Sequence, residues 1–176
     1  ALYASIPMAN FETDKSSDNA VDIVGQNLTN NTPSFWNYTT MRDVNNLIVI
    51  LDKALEDGTI SEDLHKTYVA EARFVRAYYY FASVRTYGGV PIITVPLDDE
   101  YDGGENAGLY IPRSTEKETW DFVLSEFQAA ADALPEERTD GSYRANRWAA
   151  LSLKARAALY AASVSKYWKD AEISNS

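Results

Sequence analysis

Apolar residues recur at helical spacing from about residue 34 onward. The stripe consists of Trp36, Val44, Leu47, Ile48, Leu51 and Leu55, while Arg42, Asp43, Asn46 and Asp52 lie largely off it. This pattern predicts an amphipathic helix. The dipeptide Asp57-Gly58 is a typical C-terminal stop, so we expect the helix to end there.

A second and longer helix is predicted to follow almost at once. Ser61, with two acidic residues behind it, favours a helix N-terminus, and the pattern continues to about Tyr87. Within residues 74–84 only Arg76 and Ser83 interrupt a run of aromatic and aliphatic side chains. A helix that is apolar on most sides has to be buried, so we expect this one at the centre of the fold.

Glycine and proline end this helix. Gly88-Gly89 cannot continue it without cost, and Pro91 biases the residue before it towards extended backbone. Residues 92–95 are then expected to form a short extended piece. Residues 98–108 are acidic and rich in glycine, which is typical of a surface loop.

The third predicted helix has the clearest boundaries. Thr115 and Glu118 have the spacing of a capping box, and Pro135 follows the last apolar position. Between them, apolar residues recur at steps of three and four: Trp120, Val123, Leu124, Phe127, Ala131 and Leu134.

A fourth helix is predicted to start near Asn146. One of its faces holds Trp148, Leu151, Ala155, Ala158, Leu159 and Ala162. Because alanine lets two helix backbones approach closely, we expect this face to form a close helix contact.

The predicted elements pair as helix, turn and helix, twice over. We therefore expect an all-α fold of tetratricopeptide-like helical hairpins, packed as a right-handed superhelical scaffold with long loops and little or no strand. The spacing is not that of strict repeats. Residues 1–176 are expected to form one domain, with a polar N-terminal region (1–33), a first hairpin (34–87), a loop insert (88–113) and a second hairpin (114–168).

Composition narrows the class of protein. An apolar share of 45% and a charged share of 24% are those of a folded globular chain. The formal net charge of −10 would repel a phosphate backbone, so nucleic acid is not an expected partner. The chain has no cysteine, which excludes disulfides and thiolate chemistry, and it has no apolar stretch long enough for a membrane span.

The segment EARFVRAYYYFASVRTYGGVPIIT, at residues 71–94, closely resembles the signature helix and turn of the SusD/RagB family. Three flanking segments agree in order: FWNYTTMRDVNNLI before it, then IPRSTEKETWDFVLSEFQAAADALP and RANRWAALSLKARAALYAAS after it. Together they span most of residues 35–168. The resemblance implies a bacterial outer-membrane lipoprotein, exposed at the cell surface, with a tetratricopeptide-like scaffold. It also implies binding of oligosaccharides without catalysis, and their delivery to a SusC-like TonB-dependent transporter.

This chain departs from the family pattern in two respects. Family members are considerably longer, and they carry a lipidated cysteine at the mature N-terminus that is missing here. We therefore expect the chain to be the N-terminal scaffold portion of such a protein. In the family, ligand contacts come partly from the region before the first of these helices and partly from the C-terminal half.

The candidate glycan-binding residues lie in the polar N-terminal stretch. Asp and Asn side chains supply the donors and acceptors that sugar hydroxyls need, and a flat aromatic packs against a sugar ring. The candidates are Asp18, Asn19, Asp22, Asn27, Asn30 and Trp36. The alternative is an ordinary polar loop followed by a core tryptophan, which we favour for each residue taken singly and most clearly for Trp36.

Metal and cofactor sites are not expected. Residues 98–106 alternate acidic side chains as an EF-hand loop does, but Leu109 stands where a bidentate Glu is required. A solvated loop is the favoured interpretation there, with a looser calcium site left open. His65 is the only histidine, and we expect it to be an exposed surface residue.

No catalytic constellation is evident in the sequence, so the chain is predicted not to be an enzyme. Glu71, Arg73 and Arg76 on the long helix are expected to be mutual partners, and at least two of the three tyrosines at 78–80 are expected to pack in the core. The leading hypothesis is a glycan-binding scaffold. A helical-hairpin module that binds proteins or peptides is the second, and a glycoside hydrolase is a third and weaker one.

Overall fold

The fold is built from helices, with no strand in the residues that the structure describes. This computed structural model describes residues 38–97, 111–139 and 143–168. The helices there are α1 (Tyr38–Glu56), α2 (Glu62–Tyr87), α3 (Glu116–Ala133) and α4 (Arg147–Tyr167). They pair as two hairpins, α1 with α2 and α3 with α4. The predicted all-α class and the order of its elements are confirmed.

The N-termini of three helices form as the sequence predicts. The Ser61 side chain accepts a hydrogen bond from the backbone N–H of Leu64 at the start of α2. At α3, Thr115 and Glu118 form a complete capping box, each bonding to the other's backbone N–H. Asn146 caps α4 in the same way as Ser61 caps α2. Side-chain oxygens thus satisfy N–H groups that the first helical turn leaves without partners.

Helix α2 is the central element. Each helix packs against the next in chain order, α2 also touches α4, and α1 contacts only α2 among the described helices. At the interface of α2 and α3, Phe74 meets Phe127 edge to face with ring centroids 5.9 Å apart, and Phe81 meets Trp120 at 6.0 Å. Edge-to-face pairs of this kind stabilise a core beyond simple area burial.

The tyrosine triplet at residues 78–80 of α2 lies mainly in the core. Tyr79 and Tyr80 are buried and Tyr78 is half-buried, in agreement with the prediction for this triplet. The Tyr80 hydroxyl accepts a hydrogen bond from the N–H of Ile93 at 2.7 Å and donates towards the carbonyl of Pro91 at 3.2 Å. A core tyrosine therefore fixes the extended segment that follows the Gly88-Gly89 turn.

The predicted contact face of α4 is wrong for five of its six residues, and only Leu151 is half-buried against the core. Ala155, Ala158, Leu159 and Ala162 are exposed, and Trp148 is 53% exposed. The helix packs on α3 through the opposite face, where Ala150 and Ala157 are buried. Both faces of α4 are rich in alanine and leucine, so helical spacing alone does not decide which of them meets α3.

The capping box of α3 gives a first testable prediction. Replacing Thr115 with alanine removes the acceptor for the Glu118 N–H, and such losses cost about 1 kcal/mol of stability. Chemical denaturation followed by circular dichroism measures the change. Thr67→Ala is the control, because the Thr67 hydroxyl bonds only a carbonyl one turn earlier within α2. The same loss in both variants would contradict a specific role for the cap.

The same box predicts a dependence on pH. Hydrogen bonds from the Thr115 N–H and hydroxyl hold the pKa of Glu118 below its ordinary value. The folded state therefore binds this proton less readily than the unfolded state, and the contribution is complete above the ordinary pKa and lost as pH falls through the lowered one. Thr115→Ala removes the hydroxyl bond but keeps the backbone N–H bond, which is the larger cause. We therefore expect it to reduce only part of the fall in Tm between neutral and acidic pH.

Candidate functional site

The candidate glycan-binding residues lie outside the described part of the chain. This applies to Asp18, Asn19, Asp22, Asn27, Asn30 and Trp36, and also to the acidic loop at 98–106. Their role stays a prediction. What the structure does show is the scaffold to which they are joined, because residue 37 leads directly into the N-terminus of α1.

A buried ion cluster links the two hairpins at their centre. Glu126 of α3 is 2% exposed, and its two carboxylate oxygens accept from different arginines of α2. Arg73 donates to Oε1 at 2.6 Å and Arg76 donates to Oε2 at 2.7 Å. Two cations on one carboxylate leave excess positive charge, part of which lies at the half-exposed Arg73 side chain.

Asn45 extends this cluster to α1. Its Oδ1 accepts from Arg76 at 2.9 Å, and its Nδ2 donates to the carbonyls of Ile93 and Val95 at 3.1 and 3.2 Å. The side chain is almost fully buried, and three of its hydrogen-bonding positions are occupied. The segment after α2 is thereby held against α1, the helix that follows the candidate glycan-binding stretch.

A second ion cluster ties α2 to the connection between α3 and α4. Glu71 is buried and accepts from Arg138 at 2.5 Å, and Arg144 pairs with its other oxygen. Arg138 also donates to the carbonyl of Ala145, and the Arg144 guanidinium lies 5.1 Å from the centre of the Tyr68 ring. The cluster closes the second hairpin onto the central helix.

The expectation that Glu71, Arg73 and Arg76 pair with one another is wrong. Residues two positions apart on a helix point in different directions, so Glu71 and Arg73 reach different neighbours. The charges are indeed paired, but with α3 and the α3–α4 connection. Glu126, which sequence reasoning did not single out, is the shared partner of both arginines. Its position directly before Phe127, on the apolar side of α3, was the available signal.

His65 is not the exposed residue that the sequence suggests. It is half-buried, and its Nε2 lies 2.7 Å from Oδ1 of Asp52 on α1. The pair joins the two helices of the first hairpin across their exposed edge. A tertiary contact of this kind leaves no local pattern in the sequence.

An aromatic cluster lies where α2, α3 and α4 meet. The Tyr160 ring stacks on the Trp120 ring with centroids 6.4 Å apart. The Phe81 ring packs edge to face against the Tyr160 ring. The Arg85 guanidinium lies 4.7 Å from the Phe81 ring centre and 5.5 Å from that of Tyr160. Phe81 and Trp120 are buried and serve helix packing, whereas Tyr160 is 43% exposed at the edge of the cluster.

The described residues offer neither a metal site nor a membrane span. No group of three or more His, Cys, Asp or Glu side chains comes together in residues 38–97, 111–139 and 143–168 in a way that could hold a metal ion. Among these same residues, every helix is too short or too polar to cross a bilayer.

Together these features define a helical-hairpin scaffold protein whose described polar groups bond mainly to one another. Comparison with known proteins then gives the family. A family model described as "Starch-binding associating with outer membrane" matches residues 2–159. The chain belongs to this SusD-like family, which confirms the resemblance seen in residues 35–168.

Three relatives illustrate the similarity. A SusD-like protein of Bacteroides ovatus is 28% identical over 136 residues, which are 77% of this chain and 23% of that protein. The crystal structure of a SusD-like protein from Bacteroides fragilis matches with a TM-score of 0.59 and 31% identity, covering 75% of this chain and 25% of that one. A surface glycan-binding protein A from Bacteroides fluxus matches with a TM-score of 0.57 and 26% identity, covering 74% of this chain and 26% of that one.

This chain spans about a quarter of the length of the relatives that it matches. Within that portion, the family and its helical structures agree with the predicted fold class. The family description names starch binding and association with the outer membrane.

Proposed function

We propose that this chain is the N-terminal scaffold of a protein that binds oligosaccharides or polysaccharide fragments at the bacterial cell surface, without acting on them chemically. Membership of a family described as starch-binding is the observation that carries the proposal. A similar structure is that of a surface glycan-binding protein, which supports the same class of ligand.

The described helices support a structural role for this part of the chain. Arg73, Arg76 and Glu126 satisfy one another, and Asn45 joins them to the segment after α2. Groups bonded in this way have little capacity left for sugar hydroxyls. The glycan contacts are therefore proposed to come from Asp18, Asn19, Asp22, Asn27, Asn30 and Trp36, together with residues of the longer protein.

The partner proposed for the bound state is a SusC-like TonB-dependent transporter, to which the oligosaccharide is delivered. The protein is proposed to be held at the outer membrane by a lipid anchor. The family description, which names association with the outer membrane, supports this location. A gene for a TonB-dependent receptor beside the gene for this chain would support the transport step, and its absence would weaken it.

Trp36→Ala tests the glycan role of this residue against the core role favoured from the sequence. In a protein with the length of its relatives, the glycan role predicts binding about fivefold weaker with an unchanged Tm, whereas the core role predicts a lower Tm. Losing one aromatic platform under a sugar ring is assigned about 1 kcal/mol, which corresponds to that ratio of Kd values. Isothermal titration against starch fragments and a broader oligosaccharide panel measures it. Before the variants are compared, the wild-type protein must bind at least one oligosaccharide of the panel, and the titration must show no heat from cleavage of that sugar.

Tyr143→Ala is the matched control for this experiment. Tyr143 is an aromatic residue whose side chain is fully exposed in the described structure, on the connection before α4. Its replacement should leave Kd unchanged. Equal weakening of binding by both variants would contradict a specific role of Trp36 but not glycan binding itself. If the wild-type protein gives no binding signal with any oligosaccharide of the panel, glycan binding is contradicted. Release of smaller sugars would instead favour a hydrolase.

A further inference from the structure

Helix α4 has apolar side chains on two opposite faces, and only one of these faces is covered. Ala150 and Ala157 are buried against α3, and Leu153, Ala161 and Val164 are half-buried on the same side. An apolar stripe on a helix is ordinarily buried against another element. The second apolar face of α4 is therefore exposed to solvent in the described chain.

The uncovered face forms a continuous line along the helix. It consists of Trp148, Ala155, Ala158, Leu159 and Ala162, here called the outer stripe. All five residues are exposed, with Leu159 at 70%. Alanines at three of the positions leave a shallow surface that another helix backbone can approach closely. The stripe therefore has the shape of a helix contact and lacks the concavity of a small-ligand site.

The charges of α4 indicate which kind of helix would be complementary to the outer stripe. The helix carries four basic residues, Arg147, Lys154, Arg156 and Lys166, and no acidic one. By helical spacing, Arg147 and Arg156 flank the outer stripe on opposite edges. Arg147 already pairs with Glu136 at 3.2 Å, so Arg156 is the flanking charge that calls for an acidic partner. Arg156 is exposed and is not among the charged side chains that pair within the described residues. Two copies of α4 facing each other would bring like charges together, whereas a helix with acidic flanks would be complementary.

Chain order indicates where such a helix would come from. The described helices pack in sequence, each against the next, and α4 is the last of them. The relatives are about four times as long as the portion matched here. In helical arrays, an end that is not followed by another unit carries a polar outer face, and the outer stripe is not polar.

We propose that the outer stripe of α4 is the seat of a further amphipathic helix, with acidic residues beside its apolar face, supplied by the polypeptide that follows this chain in the longer protein. The inference rests on the proposal that this chain is the N-terminal portion of such a protein. In that case α4 is an inner helix of the scaffold. The second hairpin then forms the contact between this N-terminal portion and the rest of the longer protein.

Cysteine labelling tests the inference, because the chain contains no cysteine of its own. Ala155→Cys places a thiol in the middle of the outer stripe, and Ser125→Cys places one on an exposed position of α3 as the control. Each variant is prepared in the 176-residue chain and in the full-length protein. We expect a maleimide to label Ala155→Cys at least about tenfold more slowly in the full-length protein, with Ser125→Cys changing less than about twofold.

Two results would overturn the inference. Equal labelling rates for Ala155→Cys in both lengths of protein would show that the additional polypeptide does not cover the stripe. Protection that already appears in the 176-residue chain, and grows with its concentration, would show that a second copy is the occupant. Adding Arg156→Glu should restore part of the labelling in the full-length protein, and unchanged protection would contradict the acidic flanks. Glycan titration of the full-length wild type separates all these results from a failure of the proposed function.

Discussion

Replacing Glu126 with alanine is expected to lower the free energy of unfolding by about 3 to 5 kcal/mol. Arg76 is 6% exposed, and its guanidinium donates to Glu126 at 2.7 Å. Without the carboxylate, that charge stays buried beside Arg73 with no anion between them. Since domains of this size are stable by about 5 to 15 kcal/mol, the variant would lose a large part of its stability.

Asp121→Ala is the matched control on the same helix. Asp121 pairs with Lys117 at 2.7 Å, but both side chains are well exposed, and surface pairs of this kind contribute about 0 to 1 kcal/mol. Urea denaturation of both variants, followed by circular dichroism, gives the comparison. A loss below about 1 kcal/mol for Glu126→Ala would show that water or a rearranged Arg76 replaces the carboxylate at little cost, and the cluster would then not be the link between the hairpins.

The sequence predicts the helices well because their boundaries are set locally. Ser61, Thr115 and Asn146 begin the helices through side-chain bonds to backbone groups only a few residues away. The apolar stripe of α3 is also as predicted, with Trp120 and Phe127 buried. Such features depend on neighbours in the chain, and spacing encodes them directly.

Contacts between distant residues are where sequence reasoning fails. Glu126 lies 50 residues from its partner Arg76, and His65 lies 13 residues from Asp52. Neither pair follows from periodicity, because each depends on how two helices are set against each other. The orientation of α4 is missed for a related reason: a helix with two apolar faces has two packings with the same local pattern.

The candidate glycan site was reached by a different kind of reasoning. Asp18, Asn30 and Trp36 have suitable chemistry, but so has any polar loop that ends in an aromatic residue. Their assignment comes from the resemblance to the family, and the family match at residues 2–159 confirms the resemblance without testing the individual positions. A site drawn from the polar N-terminal stretch and from a remote part of a longer protein would leave no periodic pattern.

Replacing Gly89 with alanine is expected to destabilise the protein by about 3 kcal/mol, the upper end of the range for overpacked sites. A Cβ at this position would overlap the carbonyl oxygen of Ser114, and it would lie 2.7 Å from the Thr115 carbonyl carbon and 2.8 Å from the Glu116 nitrogen. All three atoms belong to backbone, so no side-chain rotation relieves the overlap. The turn after α2 would have to move away from the start of α3, which it touches here.

Gly58→Ala separates this steric effect from backbone conformation. Gly58 has a φ of 68°, and an added Cβ there meets nothing within 4 Å, so the variant carries only the cost of a left-handed residue, about 1 to 2 kcal/mol. Gly89 has no positive φ, and its cost is therefore one of space. Thermal and urea denaturation of the two variants should rank Gly89→Ala as the less stable. The reverse order would mean that the turn shifts freely, and the hydrogen bonds from Arg113 to the carbonyls of Tyr87 and Gly89 would then not hold it in place.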